Sequence, residues 1–117
     1  MNQNKSEGKR KYLRLKTQIQ VDYTLDDEVE LLYSTNISIG GLFLETINPF
    51  TFGTKLLLRF NLPDSEKIIE IVGEVVYSVE EIFDVDDWDL PGMGIRFLAV
   101  NPEDSKLINE FVKSHKN

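Results

Sequence analysis

Two short groups of polar residues have types and a spacing that suit the binding of a phosphorylated ligand with aromatic rings. Arg10 and Arg14 form an RxxxR pattern just before the first apolar alternation. A guanidinium group is a planar fork of donors that can hold phosphate oxygens or the O6 and N7 edge of guanine, and it also stacks on bases. Asn36, Ser38 and Gly41 form an NxSxxG pattern that begins 22 residues after Arg14. An amide, a hydroxyl and a residue without a side chain predict a polar platform open to close approach.

Catalytic groups are much less prominent in this sequence. His115 is its only histidine and it has no cysteine, so neither a Ser-His pair nor a His- or Cys-based metal site is expected. The acidic run at residues 84–89 lacks the oxygen ligand and the glycine that an EF-hand loop needs at its fifth and sixth positions. Glu70 and Glu74 share a polar strand face without a partner base. We therefore expect no enzyme, no metal and no cofactor.

The charge of the chain is unevenly distributed. The net charge is −7, but residues 1–16 carry +5 and the rest of the chain carries −12. An acidic body repels a long polyanion such as duplex nucleic acid, whereas a short basic arm can hold a compact anion. The same pattern fits a solvated basic tail equally well. No secretory signal and no apolar run of about 18 residues is visible, which favours a cytoplasmic protein without membrane insertion.

Short strands are the elements that must position the two motifs. Apolar and polar residues alternate over residues 15–25 and again over 29–37, and the turn between them at residues 26–28 predicts a hairpin. Further strands are predicted around residues 42–44, 56–62, 69–79 and 93–97, separated by glycine, proline and asparagine turn signals. Six such strands favour a closed or nearly closed antiparallel barrel.

The alternation also predicts which side chains share a face. On the second strand, Val29, Tyr33 and Ile37 fall on one face, and Ser34 falls with Asn36 on the other. On the fifth strand, the apolar face is Ile69, Ile71, Val75, Tyr77 and Val79.

The period changes at the C-terminus. Asn101 is a suitable N-cap and Pro102 suits the first helical position. Leu107, Ile108 and the pair Phe111-Val112 then recur at helical spacing. We expect one amphipathic helix with its apolar stripe against the barrel.

Taken together and in this order, the two motifs make the sequence resemble the PilZ-domain family, which consists of receptors for the bacterial second messenger cyclic di-GMP. The resemblance runs from Lys9 to the C-terminal helix. It includes the segment from Met93 to Phe97, which looks like the strand that closes such barrels. It implies a mainly β fold, a six-stranded antiparallel PilZ-type β-barrel with one C-terminal α-helix. Residues 1–8 would be a flexible basic tail and residues 9–117 the PilZ domain.

The resemblance also implies a role for each motif residue. Arg10 and Arg14 would hold the phosphates and the guanine edges, and Asn36 and Ser38 would hydrogen-bond the ligand from the strand. Gly41 would permit close approach. Lys9, which stands where many members have another basic residue, is a candidate auxiliary contact.

The mechanism that the resemblance implies is a change of surface. The RxxxR arm would close over the bound nucleotide, and an effector protein that the sequence does not identify would recognise the new surface. The alternatives are a PilZ-like interaction module that binds no nucleotide, an enzyme without visible catalytic groups, and a small RNA-binding barrel. The acidic body disfavours the RNA-binding barrel.

Overall fold

The computed structural model describes residues 15–63, 65–79 and 91–115. The RxxxR motif, Lys9, the predicted tail at residues 1–8 and the acidic run at residues 84–89 lie outside these ranges. The described chain forms six strands and one helix, in the order β1 (Leu15–Leu25), β2 (Glu28–Ser38), β3 (Gly41–Glu45), β4 (Lys55–Asn61), β5 (Ile68–Val79), β6 (Gly92–Ala99) and α1 (Pro102–His115).

The strands close into an antiparallel barrel in the order β1-β2-β3-β6-β5-β4. β4 alternates strictly between exposed and buried residues, whereas β3 is buried along most of its length. The inward face of each strand lines the interior with branched and aromatic side chains. Val21, Leu42, Leu58 and Ile95 are among these core residues, and Ile108 of α1 packs into the same cluster. The predicted mainly β fold, a six-stranded barrel with one C-terminal helix, is confirmed.

The β1–β2 hairpin turns at Asp26 and Asp27, whose φ angles of 53° and 70° lie in the left-handed region. A two-residue turn with two positive φ angles matches the right-handed twist of the flanking strands, and aspartate tolerates this conformation better than most residues. The turn fixes the register so that Leu25 lies opposite Glu28.

A β-bulge in β2 changes the face assignment that the alternation predicted. Ser34 pairs with Leu44 and Asn36 pairs with Phe43, so Thr35 is an extra residue with no partner on β3. One extra residue reverses the inward and outward positions of everything beyond it. The predicted assignment of side chains to the inner and outer faces was therefore wrong for the part of β2 that precedes Thr35.

On the hairpin side of the bulge, Val29, Leu31 and Tyr33 point outward and are exposed, whereas Ser34 points inward and is fully buried. Beyond the bulge, Ile37 points into the core, as predicted. The hydroxyl of Ser34 donates to the carbonyl oxygen of Asn36 at 2.9 Å. This bond pairs a backbone acceptor inside the bulge.

A second bulge changes the end of β5. Val75 pairs with Ile95 and Tyr77 pairs with Gly94, so Val76 is the extra residue. Tyr77 therefore leaves the apolar face on which the alternation placed it and points outward.

The N-terminus of α1 is fixed to the barrel by a buried carboxylate. The Asn101 side chain accepts a hydrogen bond from the backbone N–H of Asp104 at 2.8 Å and donates one to its carboxylate at 3.0 Å. Nζ of Lys67, in the β4–β5 connection, donates to the same carboxylate at 3.0 Å. That hydrogen bond raises the pKa of Lys67. The interaction is therefore intact at neutral pH and is lost only as the pH rises through this raised value.

The apolar stripe of α1 is as predicted, with Ile108, Phe111 and Val112 buried. In the parts of the chain that the structure describes, no helix has the length and apolarity needed to cross a membrane.

Replacing Asp104 tests this attachment. Asp104→Ala should lower the free energy of unfolding by about 1–3 kcal/mol, because it removes a buried acceptor and leaves the donors of Asn101 and Lys67 without it. Glu103→Ala is the matched control, since the exposed Glu103 lies 3.7 Å from the same Lys67 nitrogen and should contribute less than about 1 kcal/mol. Urea unfolding measures both variants, and equal losses would contradict the special role of Asp104.

Candidate functional site

The residues of the NxSxxG motif lie on the outer wall of the barrel, in two adjacent rows that cross four strands. Asn36 begins the first row, which continues through Phe43, Gly94 and Tyr77. Neighbouring strands lie about 4.8 Å apart, so this row spans roughly 14 Å. The second row is Ser38, Gly41, Arg96 and Glu74.

Asn36 contributes an acceptor that has no partner. Its side chain is only 3 % exposed, and its Oδ1 makes no hydrogen bond within the described residues. A buried polar atom without a partner costs free energy. Such an oxygen can accept a hydrogen bond from an N–H or O–H group that reaches it.

Ser38 and Gly41 have structural roles in addition to their predicted ligand contacts. The hydroxyl of Ser38 accepts from the N–H of Gly40 at 3.2 Å and donates to the carbonyl of Gly41 at 3.4 Å, which closes the β2–β3 turn. A Cβ on Gly41 would lie 2.0 Å from the carbonyl oxygen of Ile95. Gly41 is thus needed for the close approach of β3 to β6, whatever its relation to a ligand.

An aromatic surface occupies the other end of the first row. The rings of Phe43 and Tyr77 stack with centroids 6.2 Å apart and an interplanar angle of 30°. Gly94 lies between them in the row, and a Cβ there would come within 2.2 Å of the Tyr77 ring. Phe43 is buried, but Tyr77 is 44 % exposed. The ring of Tyr77 is therefore held in place and still available for stacking.

A cation, the guanidinium of Arg96, lies in the second row beside these groups. Arg96 donates to the Glu74 carboxylate at 2.7 Å, yet its own side chain is 57 % exposed. Arg96 neighbours Gly41 in the register of β3 and β6. An anion placed over Gly41 would thus lie beside a guanidinium that, among the described residues, pairs only with Glu74.

The start of β1 connects this surface to the sequence motif that lies outside the described residues. Leu15 pairs with Ile37 and Lys16 pairs with Asn36. Arg14 directly precedes Leu15 in the sequence. The first described residues of β1 therefore lie beside Ile37 and Asn36 of the second motif.

Tyr77 and Arg96 were not among the predicted site residues. The alternation around Ile95 could have indicated that Arg96 faces outward. Tyr77 is harder to find, because its outward direction depends on a bulge whose only sequence signal is the run of Val75, Val76 and Tyr77.

Other parts of the described surface offer less. A cavity of about 570 Å³ lies outside β1 and β4, but its lining includes neither a motif residue nor Tyr77 or Arg96. Within the described ranges no cluster of acidic or histidine side chains is arranged to hold a metal ion. The outer wall of β2, β3, β6 and β5 is therefore the candidate site, with an acceptor, an exposed aromatic ring and a cation.

The fold is thus a closed six-stranded antiparallel barrel with one C-terminal helix, and polar motif residues lie on its outer wall. The chain belongs to the PilZ domain family, whose model matches residues 8–114. No curated protein sequence matches the chain significantly.

Two solved structures have a similar fold. The inhibitor of motility MotI (DgrA) from Bacillus subtilis is 23% identical, with a TM-score of 0.71 over 91% of this chain and 50% of its own, so the chain spans about half the length of that protein. The PilZ domain of YcgR from Escherichia coli, solved with cyclic di-GMP, is 19% identical, with a TM-score of 0.69 over 91% of this chain and 90% of its own.

Two substitutions test which motif residues stabilise the barrel in the absence of ligand. Without ligand, Asn36→Ala should change the free energy of unfolding by less than about 1 kcal/mol, because the amide oxygen has no hydrogen bond to a described residue that the substitution would remove. Gly41→Ala should lower it by about 1–3 kcal/mol, because the new methyl group meets the Ile95 carbonyl. Urea unfolding compares both with the parent. A loss at Asn36 as large as that at Gly41 would assign Asn36 to the framework.

Proposed function

We propose that this chain is a cytoplasmic receptor for cyclic di-GMP, which it binds on the outer wall formed by β2, β3, β6 and β5, and that it catalyses no reaction. Membership of the PilZ family and the nucleotide bound to the YcgR domain support the ligand class. The observation that carries the proposal is the buried Oδ1 of Asn36, which has no hydrogen-bond partner among the described residues and lies in one row with the exposed ring of Tyr77.

The groups of the site correspond to those of the ligand. Guanine carries N–H donors on its ring and on its amino group, either of which could bond to Oδ1 of Asn36. The base also has an aromatic face for Tyr77, because such stacking is favourable for any base. Arg96 can hold a phosphate oxygen or the O6 and N7 edge of a guanine.

The RxxxR motif would supply the remaining charge. Arg10 and Arg14 are proposed to hold phosphates and guanine edges, with Lys9 as an auxiliary contact. Their segment joins β1 at Leu15, beside Asn36, so it can reach a nucleotide on this wall. Closure of the segment over the ligand would create a surface that an effector protein recognises.

Replacing the motif arginines tests the ligand assignment. Arg10→Ala and Arg14→Ala should each weaken cyclic di-GMP binding by about 1–3 kcal/mol, or roughly five- to 150-fold, because each removes a charged donor fork. Arg59→Ala is the matched control, since Arg59 lies on β4 and pairs with Glu70 at 3.4 Å. Isothermal titration calorimetry gives affinity and stoichiometry together.

Two results of this titration and one of thermal unfolding would count against the proposal. If the parent does not bind cyclic di-GMP, the chain is a PilZ-like interaction module that takes no nucleotide. If Arg10→Ala and Arg14→Ala both bind within twofold of the parent, the RxxxR assignment is wrong. If GMP and ATP raise the melting temperature as much as cyclic di-GMP does, the chain has only a general anion site.

Substitutions of Arg96 and of Glu74 should have opposite effects on the affinity for cyclic di-GMP. Arg96→Ala should weaken cyclic di-GMP binding by at least about fivefold. Glu74→Gln should strengthen it by up to about fivefold, because the carboxylate that competes for the guanidinium is removed and an exposed ion pair contributes up to about 1 kcal/mol. Calorimetry measures both variants. Weaker binding by Glu74→Gln would mean that Glu74 positions Arg96 for the ligand.

A further inference from the structure

Part of β2 has an open edge, although the barrel is closed elsewhere. β2 pairs with β1 along its length, but β3 reaches only as far as Tyr33, which lies opposite Glu45. Among the described residues, no strand pairs with residues 28–32 on the side away from β1. These five residues extend the β1–β2 hairpin beyond the end of β3.

The register of the hairpin shows which backbone groups this edge offers. The two-residue turn makes Leu25 and Glu28 a hydrogen-bonded pair, and such pairs alternate with non-bonded ones along an antiparallel ladder. Glu30 and Leu32 therefore bond to β1. The N–H and C=O groups of Val29 and Leu31 point away from β1, along the open edge.

The side chains of the same residues alternate in chemistry. Val29 and Leu31 lie on the outer face and are 63 % and 44 % exposed. Glu28 and Glu30 are exposed on the other face, next to Asp26 and Asp27 of the turn. Oε1 of Glu30 accepts a hydrogen bond from Tyr23 at 3.3 Å, which fixes one of these carboxylates. The edge thus combines open backbone groups, an apolar face and an acidic face.

We propose that this edge binds an extended segment of a partner protein in which basic and apolar residues alternate. An antiparallel strand added to β2 would satisfy the backbone groups of Val29 and Leu31. Its apolar residues would lie beside those two side chains, and its lysine or arginine residues would lie opposite Glu28 and Glu30.

Charge complementarity selects this partner over a second copy of the chain. If two copies paired antiparallel through this edge with the two-fold axis at Glu30, each Glu30 would lie opposite the Glu30 of the other copy. With the axis at Val29, Glu28 of one copy would lie opposite Glu30 of the other. Centring the pair on Leu31 extends it to Tyr33, which already pairs with β3. Like charges directly opposite each other destabilise a pair of strands, whereas a basic segment turns the same positions into attraction.

This edge shares no residue with the proposed cyclic di-GMP site. The two assignments can therefore fail separately, and the edge can be tested in the absence of nucleotide.

Hydrogen exchange on the full chain tests the proposal. The probe is a capped seven-residue peptide in which lysine alternates with valine. In excess peptide, exchange at the amides of Val29 and Leu31 should slow by at least about tenfold, because they gain hydrogen bonds. The amides of Glu28 and Glu30 already bond to β1 and should change by less than about twofold. The same peptide with N-methylated valines cannot form the ladder and should not protect.

Reversing the charge of Glu28 and Glu30 tests whether the edge selects a basic segment. The parent should bind the lysine peptide at least about tenfold more tightly than a peptide with glutamate in place of lysine. The double variant Glu28→Lys/Glu30→Lys should reverse this preference. Glu66→Lys/Glu110→Lys is the matched control, because it changes the net charge equally at exposed acids outside the edge and should keep the preference of the parent.

Several outcomes would overturn the proposal. They are the absence of saturable binding of the lysine peptide, protection that does not alternate along β2, and an unchanged preference after the charge reversal. Protection of Val29 and Leu31 that rises with protein concentration and without peptide would instead assign the edge to a second copy.

Discussion

One extra residue in β2 determines the geometry on which the candidate site depends. Because Thr35 has no partner on β3, the strand reverses its faces within two residues. Ile37 then fills the core while Asn36 lies on the outer wall, where the second motif and the start of β1 meet. The inward hydroxyl of Ser34 donates to the Asn36 carbonyl and so supports the bulge from inside the barrel. Without the bulge, an unbroken alternation from the inward Ser34 would turn Asn36 into the core and Ile37 onto the outer wall.

The sequence predicted the elements that follow from a regular spacing of apolar residues. It missed the features that follow from bulges, where that spacing is interrupted. Six strands and a capped helix follow from the spacing of apolar residues and from Asn101-Pro102, and the structure confirms them. The outward direction of Tyr77 follows from the bulge at Val76, which alternation cannot indicate. The pairing of Arg96 with Gly41 depends on the order of strands around the barrel, and this order is a tertiary property.

The site and the stability of the fold make opposite demands on the same wall. The buried amide oxygen of Asn36 lacks a hydrogen-bond partner among the described residues, which costs free energy that an apolar residue there would avoid. By contrast, Ser38 and Gly41 close a turn and allow two strands to touch. One short motif thus combines Asn36, which is proposed to bind the ligand, with Ser38 and Gly41, which the barrel needs regardless of function.

The pairing of β3 with β6 also has a consequence for synthesis on the ribosome. Gly41 and Arg96 are neighbours in space but lie 55 positions apart in the chain, and contacts of such long sequence separation form late and slowly. A nascent chain that ends before β6 lacks Gly94 of the first row and Arg96 of the second, so no strand joins Tyr77 and Glu74 of β5 to the residues of β3. The ability to hold a nucleotide on this wall would therefore report that the domain has been made to its last strand.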